Sequence, residues 1–115
     1  MIKNISRGKV LVRDVKFCNS ILSKAKGLMF SKDIKDKGLI FTFKNEERWS
    51  LHMLFVFFLI DVLWLDEDKR VVDLKEHFRP FELLAKPAHK ARYVIELPDK
   101  TITKTKTEVG DKILF

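Results

Sequence analysis

The chain has 115 residues, 46% of them apolar and 34% charged, with a formal net charge of +7. That is one domain's length with enough apolar side chain for a real core, which excludes a disordered chain and a multidomain assembly. Cys18 is the lone cysteine, so no internal disulfide forms. Packing must hold the fold, as suits a reducing compartment, and a cytoplasmic location is expected.

The charge is unevenly spread. Residues 1–37 hold ten Lys/Arg against three Asp/Glu, and residues 38–115 hold thirteen of each. The whole positive excess therefore sits in the first third, where it forms either a solvated face or a surface for phosphate or anionic lipid. The first residues lack the continuous apolar stretch of a signal peptide.

In chain order, residues 9–17 (KVLVRDVKF) alternate well enough for a strand, with a bulge near Arg13. Asn19 or Ser20 caps a short helix over residues 20–27, with Ile21, Leu22 and Ala25 on one face and Gly27 at its stop. Residues 38–43 (GLIFTF) read as a buried strand and residues 44–48 (KNEER) as a turn. Residues 49–65 (WSLHMLFVFFLIDVLWL) are apolar, but they are short for a membrane span and contain His52 and Asp61. They are expected to form strands over residues 51–56 and 61–66, and no membrane span. Residues 67–69 turn a hairpin that returns through residues 70–74.

Pro80 and Pro87 break any long helix and leave one helical turn between them. Residues 93–97 (YVIEL) are a strand and residues 98–100 a turn. TITKTKT alternates Thr and Lys, as an edge strand guarded by lysines would. Gly110 and Asp111 turn the chain into a final strand, KILF. The helical signals do not alternate with the strands, so parallel βαβ units are not expected. The fold class is mainly β: a single-domain β-sandwich or partly closed barrel of seven or eight short strands, with the one short helix near residues 20–27.

The order of these segments resembles the DUF 192 family, a domain of unknown function. The resemblance rests on Gly27-Leu28-Met29-Phe30, on Gly38-Leu39-Ile40-Phe41-Thr42-Phe43, and on His52-Met53 followed by the run from Ile60 to Asp66 and Arg70-Val71-Val72. Arg79-Pro80 leading to Tyr93-Val94-Ile95-Glu96-Leu97-Pro98, and the closing Val109-Gly110-Asp111, complete it. It covers residues 9 to 115. It implies a compact β-rich barrel or sandwich of jelly-roll-like character over residues 1–115, and it implies no activity.

Four residues are candidates for a ligand cleft. Asp61 interrupts an otherwise apolar run from Met53 to Leu65, and a buried carboxylate needs donors, from a ligand or from backbone N–H groups. His52 sits on an expected strand as an acid–base group or a half-buried histidine. Arg79, held extended by Pro80, can fork onto a carboxylate or phosphate. Trp49 would line the mouth. Cys18 lies beside the expected helix start, where a thiol gains reactivity, yet no motif of a cysteine enzyme accompanies it.

Histidines 52, 77 and 89 lack ligand-pair spacing, so no metal is expected. With no phosphate loop and no dinucleotide fingerprint, no cofactor is expected either. Three functions stay open. A binding module would use Trp49, His52, Asp61 and Arg79 for a small ligand, a peptide or a protein partner. A nucleic-acid or anionic-surface binder would use Lys9, Arg13, Lys16, Lys24, Lys26, Lys32 and Lys35. A small hydrolase would use His52 and Asp61 as acid and base. The residues favour the first.

Overall fold

A computed structural model describes residues 1–18, 37–47, 60–78 and 90–115. Among them run β1 (Ile2–Asn4), β2 (Lys9–Val12), β3 (Asp14–Cys18), β4 (Lys37–Glu47), β5 (Ile60–Leu65), β6 (Val71–Phe78), β7 (Ala91–Pro98), α1 (Thr101–Thr105) and β8 (Ile113–Leu114). They form two open sheets, one ordered β2-β1-β8 and the other β3-β4-β7-β5-β6. The mainly β, two-sheet architecture expected from the sequence is present. The helix expected near residues 20–27, the strand over residues 51–56 and the helical turn between Pro80 and Pro87 lie outside the described residues.

The two sheets meet over Ile2, Leu11, Val12, Ile40, Leu63, Leu65, Val71, Ile95, Leu97, Ile102 and Ile113. Strand alternation sends Leu63, Leu65, Ile95 and Leu97 to that side and Val62, Trp64, Val94 and Glu96 to the other. The second set is buried as well. That is why IDVLWL is a nearly unbroken apolar run: β5 has no solvent face to mark with polar residues.

Four expectations are corrected. Residues 9–17 are not one strand with a bulge. The chain breaks at Arg13, so that β2 joins the small sheet and β3 the large one. β3 then pairs with β4 in parallel, Asp14 opposite Lys37 and Phe17 opposite Ile40, so parallel pairing is used after all. A parallel neighbour needs a long connection, and residues 19–36 supply the length. β4 continues through the segment expected to turn, as far as Glu47, after a register shift beyond Thr42. Finally, TITKT is not an edge strand but helix α1.

The reason for the helix is local and tertiary at once. Lys100 takes a left-handed conformation (φ 71°) after the β7 turn. The Thr101 hydroxyl donates to the Pro98 carbonyl at 2.6 Å, and the Thr105 hydroxyl donates to the Thr101 carbonyl at 2.8 Å. Thr101 and Thr105, four apart, face inward with Ile102, while Thr103 and Lys104 face solvent. Threonines at every second position satisfy a period of four as well as a period of two, so composition alone does not choose.

The β5–β6 hairpin forms as expected. Its turn is fastened by Asp66, whose Oδ1 accepts the N–H groups of Asp68 and Arg70, each at 2.9 Å. Further along, Ile60 pairs with Phe78 but Val62 pairs with Lys75, so β6 carries one extra residue. The bulge coincides with His77 at φ 53°.

Gly38, near the start of β4, faces Val12 and Ile2 of the small sheet. A Cβ there would lie 2.6 Å from Val12 Cγ1 and 2.9 Å from Ile2 Cδ1. The stiff Val12 side chain cannot retreat without disturbing β2. Gly38→Ala is therefore expected to destabilise the protein by about 1–3 kcal/mol in urea denaturation followed by circular dichroism. An unchanged midpoint would show that the sheets separate freely at this point.

Candidate functional site

Asp61 points from β5 towards the intersheet core and is fully buried. Its Oδ1 accepts the His77 N–H at 2.9 Å, and its Oδ2 accepts the Ile102 N–H at 2.7 Å. One carboxylate thus holds the bulge of β6 and the first turn of α1. Burial pushes its pKa up; the amides of His77, Ile102 and Lys100 pull the other way, and the net shift is upward. The other three cleft candidates, Trp49, His52 and Arg79, lie outside the described residues.

Replacing Asp61 tests this arrangement. Asp61→Asn turns one acceptor into a donor facing a backbone N–H, and Asp61→Ala leaves two buried donors bare. Each unsatisfied group costs about 1–3 kcal/mol. Both variants should lose stability, alanine more, with hydrogen exchange accelerating first at Ile102 and His77. Equal protection in wild type and variant would remove the carboxylate from this role.

The helix so anchored forms one wall of a cleft of about 510 Å³. Pro98, Asp99, Thr101, Lys104 and Thr105 line this wall, and residues 10–13 line the other. Asp99 Oδ1 lies 2.9 Å from His77 Nδ1, so this oxygen is already hydrogen-bonded to the neighbouring ring. Arg13 and Lys104 reach the same space with no hydrogen bond or ion pair among the described residues. With Arg13 and Lys104 against Asp99, the charged side chains of the cleft lining carry a positive excess.

Lys9, Arg13 and Lys16 of the basic set are exposed. Lys24, Lys26, Lys32 and Lys35 lie outside the described residues, and so does the helix start beside which Cys18 was placed. Among the described residues no three His, Cys, Asp or Glu side chains gather into a metal-binding group. No described helix is long and apolar enough to cross a membrane.

Two buried polar features escape sequence reading. The first joins the chain ends. Asn4, fully buried, donates to Thr107 Oγ1 (3.1 Å) and to Asp111 Oδ2 (2.9 Å). Asp111 Oδ2 also accepts from Arg7 Nε and from the Glu108 N–H. Burial pushes the Asp111 carboxyl up, but the hydrogen bonds from Asn4, Glu108 and Arg7 outweigh it and hold the group below the usual carboxylate range. Partners more than a hundred residues apart leave no local signal in the sequence.

The second is Glu96, in the middle of β7. It is 2% exposed and its Oε2 has no hydrogen-bond partner among the described residues. Burial pushes its carboxyl from 4.5 up to about 8. Alternation within YVIEL assigns Glu96 to a polar outer face, which is the usual meaning of an acid at that position. Only the burial of both faces of the large sheet makes it an interior group.

The folded protein holds the Glu96 proton more tightly than the unfolded chain does. Its contribution is complete below pH 4.5 and is lost as pH rises towards about 8. The loss is on the order of 5 kcal/mol across that interval. Asp111 works oppositely, its contribution disappearing as pH falls through its lowered pKa. Unfolding free energy measured against pH should therefore decline as pH rises from 4.5 to about 8, and Glu96→Gln should flatten that decline. An alkaline limb identical in the variant would assign the decline to other groups.

With this geometry described, relatives can be compared. The DUF192 model, described as an uncharacterised ACR family, matches residues 2–115. The chain belongs to the DUF192 family. A UPF0127 protein of Thermococcus sibiricus is 36% identical over 115 residues, covering 98% of this chain and 73% of its own. One from Pyrococcus furiosus is 35% identical over 112 residues, covering 96% and 93%. Among solved structures, a protein of Sinorhizobium meliloti described as a candidate transcription regulator aligns with TM-score 0.80 at 22% identity, over 87% of this chain and 79% of that one. A protein of unknown function from Novosphingobium aromaticivorans aligns at 0.77 and 21% identity, over 88% and 74%. At these identities the two structures support the fold of this DUF192 member and nothing about its chemistry.

Proposed function

We propose that this DUF192 protein is a binding module for a small ligand bearing an anionic group, held in the cleft between β2 and α1. The observation that carries the reading is the pairing state of the cleft. Asp99 is hydrogen-bonded to His77, while Arg13 and Lys104 have no partner among the described residues. The space, about 510 Å³, is of the size that small-molecule sites occupy. Asp61 enters as the residue that positions the α1 wall rather than as a contact, because both of its oxygens already accept backbone N–H groups. Trp49, His52 and Arg79, the other cleft residues expected from the sequence, lie outside the described residues and carry no part of this reading. The single cysteine suits a cytoplasmic setting.

A second reading, attachment to nucleic acid or another polyanion, is favoured by the exposed Lys9 of β2, Arg13 at the break and Lys16 of β3. The two readings differ in their dependence on salt. Polyanion binding weakens steeply, in proportion to the phosphates neutralised. Pocket binding of a small anion depends on Arg13 and Lys104 together and tolerates loss of Lys9 and Lys16.

Thermal unfolding should be followed with inorganic phosphate, citrate and adenosine monophosphate, alongside binding of a labelled single-stranded oligonucleotide. Stabilisation by one of the small anions, lost in Arg13→Ala and in Lys104→Ala but kept in Lys9→Ala, is the expected result. Oligonucleotide binding with a steep salt slope and no small-anion effect would favour the second reading. Neither response would leave the cleft without a ligand of this class.

A further inference from the structure

Residues 10–13 line the cleft as four neighbours in sequence. A strand that turned a face to the space would contribute alternate residues, since successive side chains point to opposite sides. Four in a row border it with an edge of the backbone. The sheet order agrees, because β2 is an outer strand of β2-β1-β8 and has β1 on one side only. An outer strand directs alternate N–H and C=O groups away from its neighbour. Among the described residues, no backbone hydrogen bond outside the β1 ladder reaches residues 10–13.

The ladder leaves one further residue over. Val12 pairs with Ile2 and Val10 with Lys3, so Leu11 is an extra residue with no partner on β1. The bulge also keeps the regular edge short. From Val10 to Arg13 the strand rises about 10 Å, room for three or four paired residues. The opposite wall has little left to pair. The Thr101 and Thr105 hydroxyls donate to carbonyls of that same wall, and Asp99 Oδ1 is hydrogen-bonded to His77. What the cleft presents to a ligand is the edge of β2 and two exposed cations, Arg13 on one wall and Lys104 on the other.

A compact anion such as phosphate engages the two cations and leaves the backbone edge to water. An extended peptide engages both. Its main chain continues the small sheet beyond β2, and its acidic side chains meet Arg13 and Lys104. Charge complementarity selects acidic side chains over basic ones, because the lining holds two cations against one carboxylate.

We propose that the cleft takes a short, extended, acidic peptide segment, added as a strand to the edge of β2 with its carboxylates on Arg13 and Lys104. The inference rests on the anion-binding reading of the cleft and names the class of its ligand. Main-chain pairing supplies affinity without regard to side chains, and the two cations supply the preference for acidic ones.

The probe is the pentapeptide acetyl-Glu-Val-Glu-Val-Glu-amide, titrated by isothermal calorimetry. Its blocked ends leave only main chain and side chains, and alternation puts its glutamates on one side. Wild type should bind it, and the peptide with Gln for Glu should bind roughly tenfold or more weakly. Arg13→Ala and Lys104→Ala, both at exposed positions, should each weaken the glutamate peptide by a similar factor. Two N-methylated forms test the main chain at constant charge, one methylated at its odd-numbered nitrogens and one at its even-numbered nitrogens. An extended strand shows alternate N–H groups on opposite edges, so only one form blocks pairing with β2. That form should bind roughly tenfold or more weakly and the other as the parent does. Hydrogen exchange within residues 10–13 should slow when the parent peptide is bound. Equal affinity of the two methylated forms, or unchanged exchange across residues 10–13, would overturn the inference. Stabilisation by phosphate, citrate or adenosine monophosphate with no binding of the peptide would overturn it alone, whereas silence towards all of them would remove the anion reading of the cleft as well.

Discussion

The tie between Asp61 and two backbone amides is the constraint on which much of the described structure leans. A carboxylate in an apolar interior is costly unless donors surround it. Here the donors come from elements far from it in sequence: His77 in β6 and Ile102 in α1. Neither donor is available in a regular strand pairing. The bulge in β6 presents the first by turning His77 to φ 53°, and the helical turn after β7 presents the second. The bulge, the helix and the carboxylate therefore support one another. Through α1 the effect reaches Ile102 in the core and Thr101 and Thr105 on the cleft wall.

The small sheet depends on a different polar connection. β1 lies between β2 and β8, so the first and last strands of the chain must meet before that sheet exists. Apolar contacts at Ile2 and Ile113 supply attraction, but the Asn4 amide, the Asp111 carboxylate and the Thr107 hydroxyl supply direction. Closing so long a loop is entropically expensive. Hydrogen bonds that form only in the correct register select one closure among many apolar ones.

These two interior networks contrast with the groups that remain uncommitted. Asp61, Asn4 and Asp111 have their hydrogen-bonding capacity taken up by the fold. Among the described residues, Arg13 and Lys104 in the cleft do not. A fold that spends its satisfied polar groups on architecture leaves chemistry to the unsatisfied ones, and the proposed cleft follows from that division.

Sequence alone determined the mainly β class, because short runs such as KVLV, IDVLWL and YVIEL carry the apolar density of strands. It also determined the β5–β6 hairpin, since Asp66 and the turn residues after it act through neighbours only a few positions away. Asp61 was legible as a buried acid in need of donors, although its sequence did not say which. Tertiary structure alone decided that TITKT is a helix, because threonines at every second position allow either period and the Ile102 amide must reach Asp61. It decided that β3 runs parallel to β4, a matter of which distant strand is available rather than of local pattern. It decided, finally, that Glu96 is interior, because alternation tells which side of a strand a residue occupies but not whether anything covers that side.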